Sequence, residues 1–252
     1  MRSTRVIPCL LWRDGGLYKT VRFREPSYVG DPINTARLFN DKEVDELVLL
    51  DITATVEGAA PRLDAIADVA GECFAPLCYG GGIRSVEDMH RILEVGVEKV
   101  AMNTGAVENP SIVDAAAERF GTQSVLVSID ARRHDGAYEV VTHGGGRRTG
   151  LRPAEHAREM ARRGAGEILL TSVDREGTGE GLDIELIRAV TEAVNVPVIA
   201  HGGAGSVEHL GAAVKEGGAS AVAAGSLFVY IGPYRAVLVT YPDENVLRNE
   251  VG

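Results

Sequence analysis

Aromatic residues make up only 5% of this 252-residue chain, with a single tryptophan, and cysteine occurs three times. Cys9, Cys73 and Cys78 form no CxxC pair of the zinc type, and an odd number does not build a disulfide framework. They read as buried, reduced thiols. No stretch approaches the ~20 apolar residues that a membrane span needs. The opening residues, Met1-Arg2-Ser3-Thr4-Arg5-Val6, are basic but run at once into Pro8 and Cys9, which leaves no signal-peptide core. A cytoplasmic protein with no membrane partner is the expectation. Positive charge is short as well: 26 Lys and Arg against 36 Asp and Glu give a formal charge of −10. Phosphate backbones attract basic faces, so nucleic acid is excluded as the main partner. The local pairs Arg147-Arg148 and Arg162-Arg163 read as solvated side chains. No metal or redox cofactor is indicated.

What the chain has in quantity is glycine, 30 residues, and 45% apolar content, enough for a large core in one domain spanning residues 1–252. Two glycine passages organise it. Gly80-Gly81-Gly82-Ile83-Arg84-Ser85 follows an apolar run at 75–79, and Gly202-Gly203-Ala204-Gly205-Ser206 follows another ending in His201. Gly82 and Gly203 lie 121 positions apart, so one unit is written twice. After each serine comes a helical pattern, Val86, Met89 and Leu93 or Val207, Leu210 and Val214, with Ser85 and Ser206 placed as N-caps. Glycines before a helix N-terminus let backbone N–H groups approach an anion. One such junction is more often only a tight turn, but the duplication favours two phosphate sites. A second pair of small-residue strand ends, at 100–104 and 221–225, repeats with the same offset.

Taken in order, strand-like runs fall at residues 5–10, 46–51, 75–79, 98–102, 124–130, 167–172, 196–200 and 220–224. Helical patterns lie between them, at 32–44, 63–72, 86–96, 111–120, 153–163 and 183–194, with another after the second glycine unit. Residues 19–23 alternate as a flap or hairpin does, 138–142 read as an inserted hairpin strand after strand five, and 144–150 read as a mobile loop. Eight strands alternating with helices in two similar halves predict an α/β fold, a (βα)8 TIM barrel.

Reacting groups in such barrels stand where strands end. Asp130 is the sharpest candidate, a carboxylate closing an apolar strand between two phosphate cradles and able to move a proton there. Asp51, Lys19, Thr171 and His201 are supporting candidates, with Asp174 close by. For Asp51, capping a loop is an equal alternative, and for His201 a hydrogen-bonded structural role is the stronger one. Leu11 takes the equivalent place after the first strand. At the opposite ends of the strands, Arg5, Glu46, Lys99 and Glu167 supply two charges of each sign. If all four point inward, only mutual pairing makes their burial tolerable.

The passages Arg5-Val6-Ile7-Pro8-Cys9-Leu10, residues 45–54, residues 80–88, Ser128-Ile129-Asp130-Ala131 and residues 164–172 resemble the HisF family, the cyclase subunit of imidazole glycerol phosphate synthase, over essentially the whole length. That resemblance implies a barrel whose N-terminal face docks a glutaminase partner. Ammonia would pass a charged gate at Arg5, Glu46, Lys99 and Glu167 and reach a phosphorylated small-molecule substrate. The family's phosphate sites fall on Gly82, Asn103 and Thr104 in one half and on Gly177, Gly203, Ala224 and Gly225 in the other. The family also uses an aspartate after the first strand as a second acid/base carboxylate, where this chain has Leu11.

That altered stretch, with residues 19–23, 28–34, 71–74 and 225–238, looks like a divergent branch accompanying surface-polysaccharide pathways, where ammonia serves acetamidino groups. The alternatives are an ordinary histidine-biosynthesis cyclase and a non-catalytic ammonia conduit that activates its glutaminase. The sister isomerase of histidine biosynthesis shares the half-barrel repeat, but the charged gate argues against it.

Overall fold

The computed structural model describes residues 4–252. Besides a two-stranded pair, β13 (Tyr230–Ile231) and β14 (Ala236–Val237), the described residues form one twelve-stranded sheet, whose strands come in the order β1 (Arg5–Arg13), β2 (Gly16–Val21), β3 (Arg24–Gly30), β4 (Leu47–Asp51), β5 (Leu77–Gly80), β6 (Lys99–Met102), β7 (Val125–His134), β8 (Ala137–Thr142), β9 (Arg147–Arg148), β10 (Glu167–Ser172), β11 (Val198–His201) and β12 (Ala221–Ala224). Eight of them pair in parallel in the order β1, β4, β5, β6, β7, β10, β11, β12, and β12 returns to β1. The sheet therefore closes into a barrel. The helices are α1 (Pro32–Asn40), α2 (Ala54–Glu57), α3 (Leu63–Ala70), α4 (Val86–Glu94), α5 (Thr104–Glu108), α6 (Ser111–Phe120), α7 (Pro153–Arg162), α8 (Ile184–Thr191), α9 (Val207–Lys215), α10 (Ser226–Val229) and α11 (Glu244–Glu250). This is the (βα)8 architecture that the alternation predicts.

Side chains alternate across a strand, so residues two apart share a face. On β1, Ile7, Cys9 and Leu11 belong to the barrel's interior cluster with Val48, Cys78, Ala101, Leu126, Leu169, Ile199, Ala221 and Ala223. The intervening positions, such as Val6, Leu10, Leu47, Leu49, Ile168 and Leu170, pack outward in the larger cluster, which includes helical residues such as Phe39, Ile66, Ile92 and Leu186. Burial on both faces explains why these strands read as nearly continuous apolar runs. The inward column also carries the site: Glu46, Val48, Leu50 on one strand, Lys99, Ala101, Asn103 on another, and Glu167, Leu169, Thr171 on a third. Each column starts from a charge at the floor and passes through an apolar layer; those from Lys99 and Glu167 end in a polar group at the rim, and the one from Glu46 ends in Leu50.

β1 and β7, the first strands of the two half-barrels, outrun their predicted ends because each continues as an arm of an antiparallel hairpin. Leu11 pairs with Tyr18 across the first, and Asp130 with Val141 across the second. The run at 144–150, expected as a mobile loop, instead carries β9, paired to β8 through Val141 and Arg148. Ser85 forms a full capping box with Asp88 at α4, as expected. Ser206 occupies the same position at α9 but makes no side-chain capping hydrogen bond, which corrects the expectation of two equivalent caps.

Candidate active site

The carboxyl ends of the barrel strands surround a cavity of about 400 Å³ whose walls include Leu11, Asp51, Gly82, Asn103, Thr104, Asp130, Thr171 and His201. A pocket of about 20 Å³ adjoins it, lined by Lys19, Gly177, Gly203, Ala224 and Gly225, and shares Leu11, Glu176 and His201 with it. The two glycine units thus face connected space. By strand order they stand diametrically opposite: β5 and β6 on one side, β11 and β12 on the other.

Backbone geometry explains the glycines. Gly82 (φ 71) and Gly203 (φ 112) sit in the left-handed half of conformational space, and a Cβ on Gly203 would lie 2.3 Å from the Gly181 carbonyl oxygen. Beside each unit a short helix starts without a side-chain cap, α5 after Asn103 and α10 after Gly225. Uncapped helix starts leave backbone donors free, and barrel phosphate sites use such short extra helices. Helices of five and four residues give no periodicity to read, so the sequence revealed the small-residue strand ends but not the helices following them.

Asp130 accepts a hydrogen bond from Asn103 Nδ2 at 3.2 Å. Burial pushes its carboxyl up to about 7, against the hydrogen bond from the Thr171 hydroxyl; nearby Glu176 adds to the rise and Arg132 opposes it. A carboxyl poised there exchanges protons near neutrality. Thr171 Oγ1 lies 3.1 Å from His201 Nδ1. Burial, with Lys19's charge nearby, holds His201 down at about 3, so its imidazole is neutral.

Asp51 is a loop anchor. Its Oδ1 accepts from Thr53 N, Thr53 Oγ1 and Ala54 N, each at 2.9 Å, and so secures the start of α2. Asp174 turns away, accepting from Arg133 N at 2.7 Å in the β7–β8 hairpin. Lys19 is buried and donates to the Cys9 carbonyl at 2.6 Å. Desolvation lowers its pKa, while Glu176 pulls the other way. A Cβ on Gly225 would come within 2.2 Å of Lys19 Nζ, so the ammonium lies tight against the second cradle.

Glu176 escaped the sequence reading. It is buried, lines both cavities, and accepts from Thr20 Oγ1 and Phe23 N, each at 3.0 Å. Its partners lie more than 150 residues away, and no local pattern announces such a contact.

At the floor, the four charges meet in a closed ring. Arg5 donates to Glu46 through Nη1 and to Glu167 through Nη2. Lys99 Nζ donates to Glu46 at 3.0 and 3.1 Å and to Glu167 at 2.8 Å. Burial works against the charge of Lys99, but its hydrogen bonds and attraction to Glu167 and Glu46 outweigh that and hold its pKa above the ordinary value. The condition set for inward-facing charges, that they pair with one another, is met.

Fold and cavity together define a (βα)8-barrel protein of the kind whose working face is the carboxyl-terminal rim. The family model described as "Histidine biosynthesis protein" matches residues 5–234. The chain is 51% identical over 248 residues to "Putative imidazole glycerol phosphate synthase subunit hisF2" of Pseudomonas aeruginosa, covering 98% of this chain and 99% of that protein. It is 52% identical over 228 residues, 90% of each chain, to "Imidazole glycerol phosphate synthase subunit HisF" of Hyphomonas neptunium. The chain belongs to the HisF family of cyclase-type subunits of imidazole glycerol phosphate synthase. Among the described residues no helix is long and apolar enough to cross a membrane.

Proposed function

We propose that this barrel receives ammonia from a glutaminase seated on its N-terminal face and delivers it to a substrate carrying two phosphates at the carboxyl-terminal rim. The observation that carries the reading is the ion-pair ring of Arg5, Glu46, Lys99 and Glu167 beneath the same inward columns that end at the cavity. Above the ring lies an apolar layer that includes Cys9, Val48, Cys78, Ala101 and Ala223. Neutral ammonia crosses such a layer at little cost, whereas ammonium, a bare ion there, does not. The apolar layer above the ring therefore selects the uncharged species.

At the rim, Gly82, Asn103 and Thr104 hold one phosphate and Gly177, Gly203, Ala224 and Gly225 the other, with Lys19 beside the second. Asp130 moves the proton. The carboxylate that the family uses opposite Asp130 is replaced by Leu11, and a positioned acid or base is worth ~10²–10⁴-fold in rate. This favours a divergent paralogue whose ammonia serves amidation of a surface-polysaccharide sugar. Supplied with an ammonium salt and the histidine-pathway substrate, the protein should turn over far more slowly than an ordinary cyclase. Rates equal to such a cyclase would overturn the divergent assignment. In the complex with its glutaminase, Lys99→Ala should lower glutamine-dependent product formation more than ammonium-dependent formation. Equal losses would count against a gate.

A second reading, the ordinary histidine-biosynthesis cyclase, is favoured by the 52% identity to the Hyphomonas neptunium protein. Complementation of a histidine auxotroph separates the two. Asp130→Asn separates both from a passive conduit, since a catalytic Asp130 implies a loss of ~10²–10⁴-fold and a conduit implies none.

A further inference from the structure

Asp130, Thr171 and His201 stand at the rim on three consecutive barrel strands, β7, β10 and β11, and the register sets Thr171 beside both of the others. The threonine hydroxyl lies 3.1 Å from His201 Nδ1 and also stabilises the ionised Asp130 carboxylate. A hydroxyl has one proton to give. An ionised Asp130 can only accept, so the threonine proton goes to it, and Oγ1 then accepts from His201 Nδ1–H. His201 Nε2 is left with a lone pair. A protonated Asp130 reverses every bond: the carboxyl donates to Oγ1, the threonine donates to Nδ1, and the imidazole hydrogen sits on Nε2. His201 lines both cavities, and its Nε2 has no protein partner among the described residues.

We propose that Thr171 links Asp130 to His201 as a proton relay, so that one carboxylate serves the cavity from two places. The first is its own oxygens. The second is His201 Nε2, two strands further round the rim toward Leu11 and the second cradle. In the relay step a proton arriving at Nε2 forms an N–H bond, Nδ1 gives its proton to Oγ1, and Oγ1 gives its own to Asp130. One proton enters, one is bound at Asp130, and the imidazole ends neutral with its hydrogen moved from Nδ1 to Nε2. His201 thereby supplies, on the side facing Leu11, the proton acceptor that a leucine cannot be. The proposal rests on the functional reading only in that a proton moves in this cavity.

The surroundings suit a neutral histidine. Lys19 on β2 faces His201 with positive charge, and burial adds to its effect. Around Asp130 stand Glu176 from the loop after β10, Arg132 on β7, Cys9 on β1 and the Asn103 amide.

The test is nitrogen NMR on the full chain labelled with ¹⁵N-histidine, from about pH 5 to about pH 9, with the His201 signals assigned through His201→Gln. His201 should stay neutral throughout, while its two ring nitrogens exchange protonated and unprotonated character at the midpoint of the Asp130 carboxyl titration, followed by ¹³C. Asp130→Asn should remove that pH dependence. Thr171→Val should abolish the exchange yet leave Asp130 titrating, and Thr171→Ser, which keeps the hydroxyl, should retain it. A tautomer constant with pH in the unsubstituted protein overturns the relay. So does an imidazolium forming near the ordinary pKa of about 6.5, or an exchange that survives in Thr171→Val. Failure of the ammonia or cyclisation assays would sink the functional reading without moving these signals.

Discussion

Leu11 and Asp130 occupy matching places, each where the first strand of a half-barrel leaves the barrel for a hairpin, and on opposite sides of the rim. Leu11 is 6% exposed and shares the smaller pocket with Lys19. A carboxylate there would enter a site whose cation is already poor in partners, so Leu11→Asp should both favour the charged form of Lys19 and provide a second proton-transfer group. Single-turnover cyclisation with ammonium salt and the histidine-pathway substrate should rise by roughly 10²-fold, and the melting temperature should fall because an apolar side chain leaves the interior cluster. No gain in rate would mean that position 11 does not limit this protein. Asp130, Thr171, His201 and the glycines were legible in the sequence because strand ends are, and strand ends are set by local apolar runs. Which of them touch was not legible. Asp51 turned out to anchor the loop leading into α2, and Glu176 entered the site through contacts with β2 and the turn after it that only the closed barrel creates.

Among the elements, the repeated glycine units look equivalent in sequence and differ in their caps. Ser85 accepts from Asp88 N at 3.1 Å while Asp88 accepts from Ser85 N at 3.0 Å, and Ser206 makes no such pair. The reason is in the third helical position: Asp88 reaches back in the first copy, whereas the second has His209 there, whose Nδ1 accepts from Gly205 N instead. Ser85→Ala should therefore cost about 1 kcal/mol, and Ser206→Ala only a few tenths. Urea denaturation of the two variants measures both, and equal costs would refute the asymmetry. Most of the long elements were readable from periodicity and apolar runs, although β3 and α11 were not, and β1 and β7 ran a few residues past their expected ends where a hairpin continued each strand. α2, α5 and α10, of four or five residues, were not readable. Four or five residues are too few to carry a helical period.

At the scale of the whole molecule, the acid limb of stability is set by histidines that folding keeps neutral. His156 lies on α7, which packs against β7 and β8; it is 5% exposed, its Nε2 has no partner among the described residues, and burial lowers its pKa to about 4. Unfolded, it titrates near 6.5, so between those values the unfolded chain binds a proton that the native state refuses. Stability from this group is complete above about pH 6.5 and drains away as pH falls toward 4, by roughly 3 kcal/mol in all. His201, held near 3, acts in the same direction. Asp130 acts in the opposite one: its native pKa of about 7 exceeds the unfolded value, so it favours the folded state on the acid side and loses that contribution as pH rises toward 7. Acid also reduces the net charge of −10, which every variant shares to within one residue. A difference between two proteins therefore isolates His156 from the rest. His156→Leu should match or exceed the parent at pH 7 and exceed it clearly at pH 5, so that the fall in melting temperature between those two conditions shrinks. Parallel pH profiles for the two proteins would show that His156 is solvated or paired in solution, and would remove the buried imidazole from the account of acid sensitivity.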